Sequence, residues 1–179
     1  IVVDGVRMNN AIFRSGNLQN VISLDAFAVE KTEVVFGPSS VIYGSDAIGG
    51  VMSFYSLSPK VTTNNKFDVS GNFASRYSTA NTEKTGHVDI NLGWTKWASL
   101  SSFTYTSYGD VTMGKNGPDE YLRKEYVKRE NGVDTVVKNS NSRIQRPTGY
   151  SQINLMQQID YVPNNNWNIN YGLHYSTTS

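Results

Sequence analysis

From Lys66 onward the chain alternates apolar and polar residues with a period of two, over segments longer than most strands of soluble proteins. In "FDVSGNFASRY", Phe67, Val69, Phe73 and Tyr77 fall on one face, and Asp68, Ser70, Asn72 and Arg76 on the other. In "GHVDINLGW", Val88, Ile90, Leu92 and Trp94 alternate with His87, Asp89, Asn91 and Gly93. In "WNINYGLHY", Trp167, Ile169, Tyr171, Leu173 and Tyr175 alternate with Asn168, Asn170, Gly172 and His174. Two further segments are less regular. Gln157 interrupts the face formed by Ile153, Leu155, Ile159 and Tyr161, and "WASLSSFTYTSY" slips phase between Leu100 and Phe103, as a bulge would. Segments of roughly 9 to 13 residues match a tilted strand crossing a bilayer.

The connections point the same way. "TK" and "PNNN" are short links, whereas "STANTEKT" and the span from about Gly109 to Gly149 are longer. Short turns at one end and long loops at the other describe a transmembrane β-barrel. Trp94, Trp97, Tyr161 and Trp167 gather at the short-turn end, and Tyr77, Tyr108, Tyr150 and Tyr175 at the other. Amphipathic rings form such girdles at the two membrane–water interfaces. A soluble β-sandwich also alternates and also turns. Strand length, and polar faces of Asn, Asp, His and Gln suited to a wet lumen, weigh for the barrel.

Five strands cannot close around anything. An open edge in lipid would leave a row of backbone groups unpaired. The chain opens on "IVVDGVR" and stops at "HYSTTS", both of which read as interior sequence. We therefore expect a piece of a longer polypeptide. No signal peptide is evident, and no run of about 18 apolar residues provides a membrane helix. The formal net charge of +1 gives no basic footprint, so no nucleic-acid partner is expected. Cysteine is absent, which excludes disulfide frameworks, zinc ribbons and thiol catalysis.

The first part, residues 1–59, has a different grammar and reads as a compact α+β unit. "IVVD" is a short strand closed by the Asp4-Gly5 turn. "SLDAFAVE" reads as a short helix with Ser23 as N-cap and Asp25 in the first turn. "KTEVVF" is a strand ending at Gly37. In "GPSSVIYGSDAIGGV", Pro38 suits the first turn of a short helix, and Gly44 its left-handed cap. Gly49-Gly50 then relaxes the backbone ahead of the strand "VMSFYS". A nucleotide-binding loop would need a lysine after its second glycine, and "YGSD" has none.

"VEKTEVVFGPSSVIYGSDAIGGVMSF" resembles the end of the plug domain of TonB-dependent outer-membrane receptors, and "VVDGVRMNN" resembles the plug strand and turn before it. The motif residues are Gly37, Pro38, Tyr43, Gly44, Gly49 and Gly50, read as structural. Phe36 stands where the family usually has a basic residue, and "MSFYSLSP" departs from its isoleucine-rich strand. The resemblance implies the C-terminal part of a plug at residues 1–59, then the first strands of a barrel of about 22 strands at residues 66–179. It implies that the glycines let backbone pass close to the barrel wall.

The resemblance also implies a function: energy-coupled import of a scarce nutrient across the bacterial outer membrane, with an iron-siderophore or haem favoured as substrate. The partners implied are a TonB-type inner-membrane coupling complex, outer-membrane lipid and the small molecule itself. Cobalamin and glycan importers share the fold. A non-transport adhesin or signalling receptor, and a soluble β-rich binding domain, are the other readings. In the family, outward plug loops touch substrate. Here that places Arg7, Asn9, Asn10, Phe13, Arg14 and Asn17 as candidate contacts, suited to an anionic chelate or propionate. Pairing of those arginines with the wall is the structural alternative. The loop centred on "RKEYVKRE" reads as a solvated hairpin or a lid. His87 and His174 read as polar lining rather than metal ligands. No nucleophile–base pair stands out, so neither an enzyme nor a cofactor is expected.

Overall fold

The computed structural model describes residues 1–8, 23–37, 40–44, 47, 49–64 and 66–179. Internal contacts divide the chain into two units. One comprises residues 1–73, 87–104 and 154–177; the other comprises 74–86, 105–153 and 178–179.

The first unit opens with a hairpin of β1 (Val2–Val3) and β2 (Val6–Arg7). Its turn places both Asp4 and Gly5 at positive φ, the primed geometry that a tight hairpin favours. β3 (Val29–Phe36) and β4 (Gly50–Ser56) pair antiparallel, and β1 lies parallel to β4, giving the sheet order β2-β1-β4-β3. A register shift between Val29 and Lys31 marks a bulge. Between β3 and β4 lies the helical turn α1 (Ser40–Tyr43). Phe36 pairs with Gly50, and the Gly37 N–H donates to the Gly49 carbonyl, so the glycine-rich stretch is a loop closed at its neck. Tyr43 packs on a small core of Val2, Ala47 and Val51. The helix expected at "SLDAFAVE" is a single 3-10 turn, Ala26–Ala28. Its cap is Asp25, whose Oδ1 accepts from the Phe27 N–H at 3.0 Å, and not Ser23. Asp25 directly precedes the turn, the position from which a short carboxylate reaches the second N–H.

Five long strands form the main sheet: β5 (Asp68–Ser78), β6 (Glu83–Gly93), β7 (Trp97–Tyr108), β12 (Tyr150–Asn164) and β13 (Trp167–Thr178). They are ordered β13-β12-β7-β6-β5. Two details differ from the sequence reading. No phase slip occurs in β7, where Ala98, Leu100, Ser102, Thr104 and Thr106 are all buried on one face. Leu100 is apolar on that face because it packs with Ala28 and Met156. On β12, Gln157 interrupts the face of Ile153 and Leu155 as the sequence has it, and is held there by Ser99 Oγ at 2.9 Å and Ser101 Oγ at 2.6 Å. The link "STANTEKT" is also tight: β5 runs to Ser78 and β6 starts at Glu83, closed by the Arg76–Glu83 ion pair. Only the link after β7 is long.

That long link is itself folded. β8 (Val111–Thr112) pairs with β11 (Ile144–Gln145), and β9 (Glu125–Glu130) pairs with β10 (Val133–Lys138). The β9–β10 turn, Asn131-Gly132, has both residues at positive φ. "RKEYVKRE" therefore supplies the first strand of an exposed hairpin. Beneath it the buried Asn139 donates to the carbonyls of Arg123 and Ile144, both at 2.9 Å. Asn139→Ala orphans both carbonyls and is expected to destabilise the loop by about 1–2 kcal/mol, seen as faster amide exchange at Arg123 and Ile144.

In the hairpin, the Lys128 ammonium hydrogen-bonds Glu130 at 2.6 Å and holds its carboxyl below the ordinary value of 4.5. A depressed carboxyl stabilises the folded form above its ordinary value, and that contribution is lost as pH falls through the lower folded one. Both groups are exposed, so the effect on stability is small. The check is the Glu130 titration midpoint, which should rise in Lys128→Ala.

Candidate functional site

The main sheet inverts the polarity of a soluble sheet. On β6 the buried positions are Glu83, Thr85, His87, Asp89 and Asn91, while Val88 and Ile90 are exposed. On β7, Thr104 is 1% exposed and its neighbour Phe103 is 42% exposed. Phe73 and Tyr77 on β5, Leu155 on β12, and Ile169, Tyr171 and Leu173 on β13 are exposed too. A water-soluble sandwich would bury these rings and chains, each worth about 1.5–3 kcal/mol. An apolar outer face over a polar, hydrogen-bonded inner face is the arrangement of a barrel wall in lipid.

The aromatic girdles sit on the same strands. Trp97 stacks on Tyr161 at 4.1 Å between centroids, and Phe67 lies 4.9 Å from Trp94, beside the short turns. At the long-loop ends Tyr108 meets Tyr150 at 4.6 Å. Tyr175 stands short of its strand's end, because Ser179 is the residue bonded across to Ser151.

The polar face is covered, within the first unit, by the N-terminal sheet and the segment after it. Asn91 and Lys60 exchange side-chain and backbone bonds, with Lys60 N–H donating to Asn91 Oδ1 at 2.9 Å and Asn91 Nδ2 donating back to the Lys60 carbonyl at 3.2 Å. A Cβ at Gly93 would stand 2.6 Å from the Lys60 carbonyl, so the segment lies flat only against glycine. The glycine that admits close passage along the wall is thus Gly93. Gly50 instead admits Val35 of the neighbouring strand, not the wall. The 3-10 turn seats on β6 and β7. Thr104 Oγ1 donates to Asp25 Oδ2 at 2.5 Å, and the Phe27 ring stacks on His87 at 5.1 Å. Further along, Gln158 Nε2 donates to Ser56 Oγ, and His174 Nε2 lies 3.5 Å from Asp4 Oδ2.

Residues 1–51 match the family model described as the TonB-dependent receptor plug domain. Residues 1–51 are a TonB-dependent receptor plug. Over 52 residues the chain is 50% identical to the vitamin B12 transporter BtuB of Vibrio vulnificus (strain YJ016), a match covering 29% of this chain and 8% of that protein. The chain thus matches less than a tenth of that relative's length. With the lipid-facing strands, the match gives the fold as a plug followed by antiparallel strands of an outer-membrane barrel. The protein belongs to the bacterial outer membrane.

The substrate contacts expected from sequence are placed only at one end. Arg7 closes the plug hairpin, with its guanidinium beside Gly44 at the end of α1. Asn9, Asn10, Phe13, Arg14 and Asn17 lie outside the described residues, as does Pro38. Gly37 and Gly44 take positive φ at the two bends flanking α1. In the plug sheet, Lys31 bonds Glu33, which also accepts from the Tyr55 hydroxyl at 3.0 Å. These bonds hold the Glu33 carboxyl below, and the Lys31 ammonium and Tyr55 phenol above, their ordinary values. All three are exposed on the plug surface. Sequence reasoning named Asp4 only as a turn residue and Asp25 only as a first-turn residue, and did not single out Thr104, since their pairings with the wall are long-range. The two histidines were legible as lumen-facing from the alternation alone. Among the described residues no cluster of metal-ligating side chains occurs.

A cleft of about 550 Å³ lies between the plug hairpin, the 3-10 turn, β12 and β13. Asp4, Ser56, Asn154, Gln158 and His174 supply its polar lining, and Val6 and Phe54 its apolar lining.

Proposed function

We propose that this chain is the plug and first wall of a receptor that imports a scarce small molecule across the outer membrane, driven by a TonB-type coupling complex of the inner membrane. The observation that carries the reading is a family plug held by hydrogen bonds on the polar face of a sheet whose other face is apolar and open to lipid. A plug so placed blocks the lumen, and transport then requires it to move. Binding and translocation, not catalysis, are the work of such a molecule.

The first candidate substrate is cobalamin, because the relative that shares half its plug residues is a vitamin B12 transporter. An iron-siderophore or haem is the second, supported by the two arginines of the Arg7–Asn20 stretch, which suit an anionic ligand. Arg7, Asn9, Asn10, Phe13, Arg14 and Asn17 are the proposed contacts. The test is equilibrium binding of cobalamin, haem and a ferric siderophore to the purified receptor, with uptake measured with and without the coupling complex. Saturable binding of one ligand, and uptake abolished without coupling, are expected. Arg7→Ala with Arg14→Ala should weaken binding of an anionic ligand at least about tenfold and leave cobalamin binding little changed. Failure of all three ligands to bind would favour an adhesin or signalling receptor of the same fold.

A further inference from the structure

We propose that Asp25, Thr104, His87 and Asp89 form a latch that holds the plug against the wall and must open before the plug can move. The bonds run in one line from plug to wall. Asp25 Oδ1 caps the Phe27 N–H, and its Oδ2 accepts the Thr104 hydroxyl proton at 2.5 Å. Thr104 has a single proton and gives it to that carboxylate, so its oxygen accepts from His87 Nδ1–H at 2.6 Å. His87 Nε2 lies 3.2 Å from Asp89 Oδ2, a contact that becomes a hydrogen bond only when the imidazole carries both protons. Asp89 is anchored in turn by Asn72 Nδ2, which reaches both of its oxygens, at 3.1 and 3.2 Å. Thr104, His87 and Asp89 are nearly fully buried, and the Phe27 ring covers the imidazole. Hydrogen bonds to charged groups in such a site are stronger than neutral ones and leave expensive orphans when broken.

A second contact of the same kind stands nearby. Asp4 Oδ1 accepts the Ser56 N–H at 2.8 Å and its Oδ2 the Ser56 hydroxyl at 2.6 Å, while Gln158 and His174 approach this pair from the wall. The chain has two histidines, and each faces a plug aspartate, one through Thr104 and one directly. Among the described residues the plug's apolar anchor is slight by comparison: Ala28 with Leu100, Met156 and Leu57. Among the described residues polar bonds therefore fix the seat, and these can part without exposing a large apolar surface.

The inference takes from the import reading only what the latch is for. Its test uses neither substrate nor coupling complex, so the two can fail separately. In the full-length receptor, Ala28→Cys places a thiol in the seated turn, and its labelling by a maleimide reports unseating. Thr104→Val, which keeps the shape and removes the hydroxyl, should raise the labelling rate at least about tenfold. Thr104→Ser should restore it. Equal rates for Thr104→Val and the parent would overturn the latch. Should Thr104→Val fail to assemble, amide exchange in the unaltered receptor decides the matter. Phe27 and Leu57 should then exchange no faster than Val34 and Met52 of the plug sheet, and faster exchange at Phe27 would overturn it.

Discussion

Phe103→Arg is expected to destabilise the assembled barrel by about 2–4 kcal/mol, the range for arginine at the lipid midplane of such strands. Phe103 lies at the middle of β7, between the girdle residues Trp97 and Tyr108, and points to the apolar side. An arginine there has no water to reach short of the interfaces, and snorkelling relieves only part of the penalty. Phe103→Leu keeps an apolar chain in lipid and should cost less than about 1.5 kcal/mol. The adjacent Ser102 provides the opposite control. Its hydroxyl is buried on the inner face and has no hydrogen-bond partner among the described residues, so Ser102→Ala should be neutral or slightly stabilising. Urea unfolding of the receptor in phospholipid vesicles measures all three. If the arginine variant matched the leucine variant, the outer face would not lie in lipid.

The same face shows what the sequence can and cannot tell. Period two exposed the lipid side of β5, β6 and β13, because nothing on those faces competes with the bilayer. It misread β7, and met an exception on β12, where a second requirement intrudes. Leu100 is apolar because a plug residue lies over it, and Gln157 is polar because two serines of the next strand satisfy it. Both causes are long-range. The link at Ala80 was misjudged for a local reason. Small polar residues and threonines read as loop, yet an ion pair from Arg76 to Glu83 carries both strands to a tight turn. The plug motif was legible by its glycines and tyrosine. The seat was not, since Asp25, Thr104 and His87 come from three separate stretches of chain.

The adjacent glycines of that motif differ in what they tolerate, and the difference is measurable. Gly50 has a φ of +149°, and a Cβ there would lie 2.6 Å from the Val35 carbonyl oxygen and 3.6 Å from Phe36 Cα. Both are backbone of the paired strand, at the neck where Phe36 meets Gly50. Neither can swing aside, so Gly50→Ala must part β3 from β4 or strain both, at about 2–3 kcal/mol. Gly44 has a φ of +91°, but among the described residues its Cβ would meet only the Arg7 guanidinium, at 3.2 Å. That contact is with the far end of a side chain and not with backbone, so the cost should fall below that at Gly50, the backbone term being about 1 kcal/mol. Among the described residues no atom lies within 4 Å of the Gly49 Cβ position, and its φ is not positive, so Gly49→Ala should change stability by less than about 0.5 kcal/mol. Amide exchange across β3 and β4 in the assembled receptor gives the order Gly50, Gly44, Gly49. A Gly49→Ala loss equal to that of Gly50→Ala would mean that the neck closes differently. The plug sheet would then depend on the whole loop, not on one close contact between two strands.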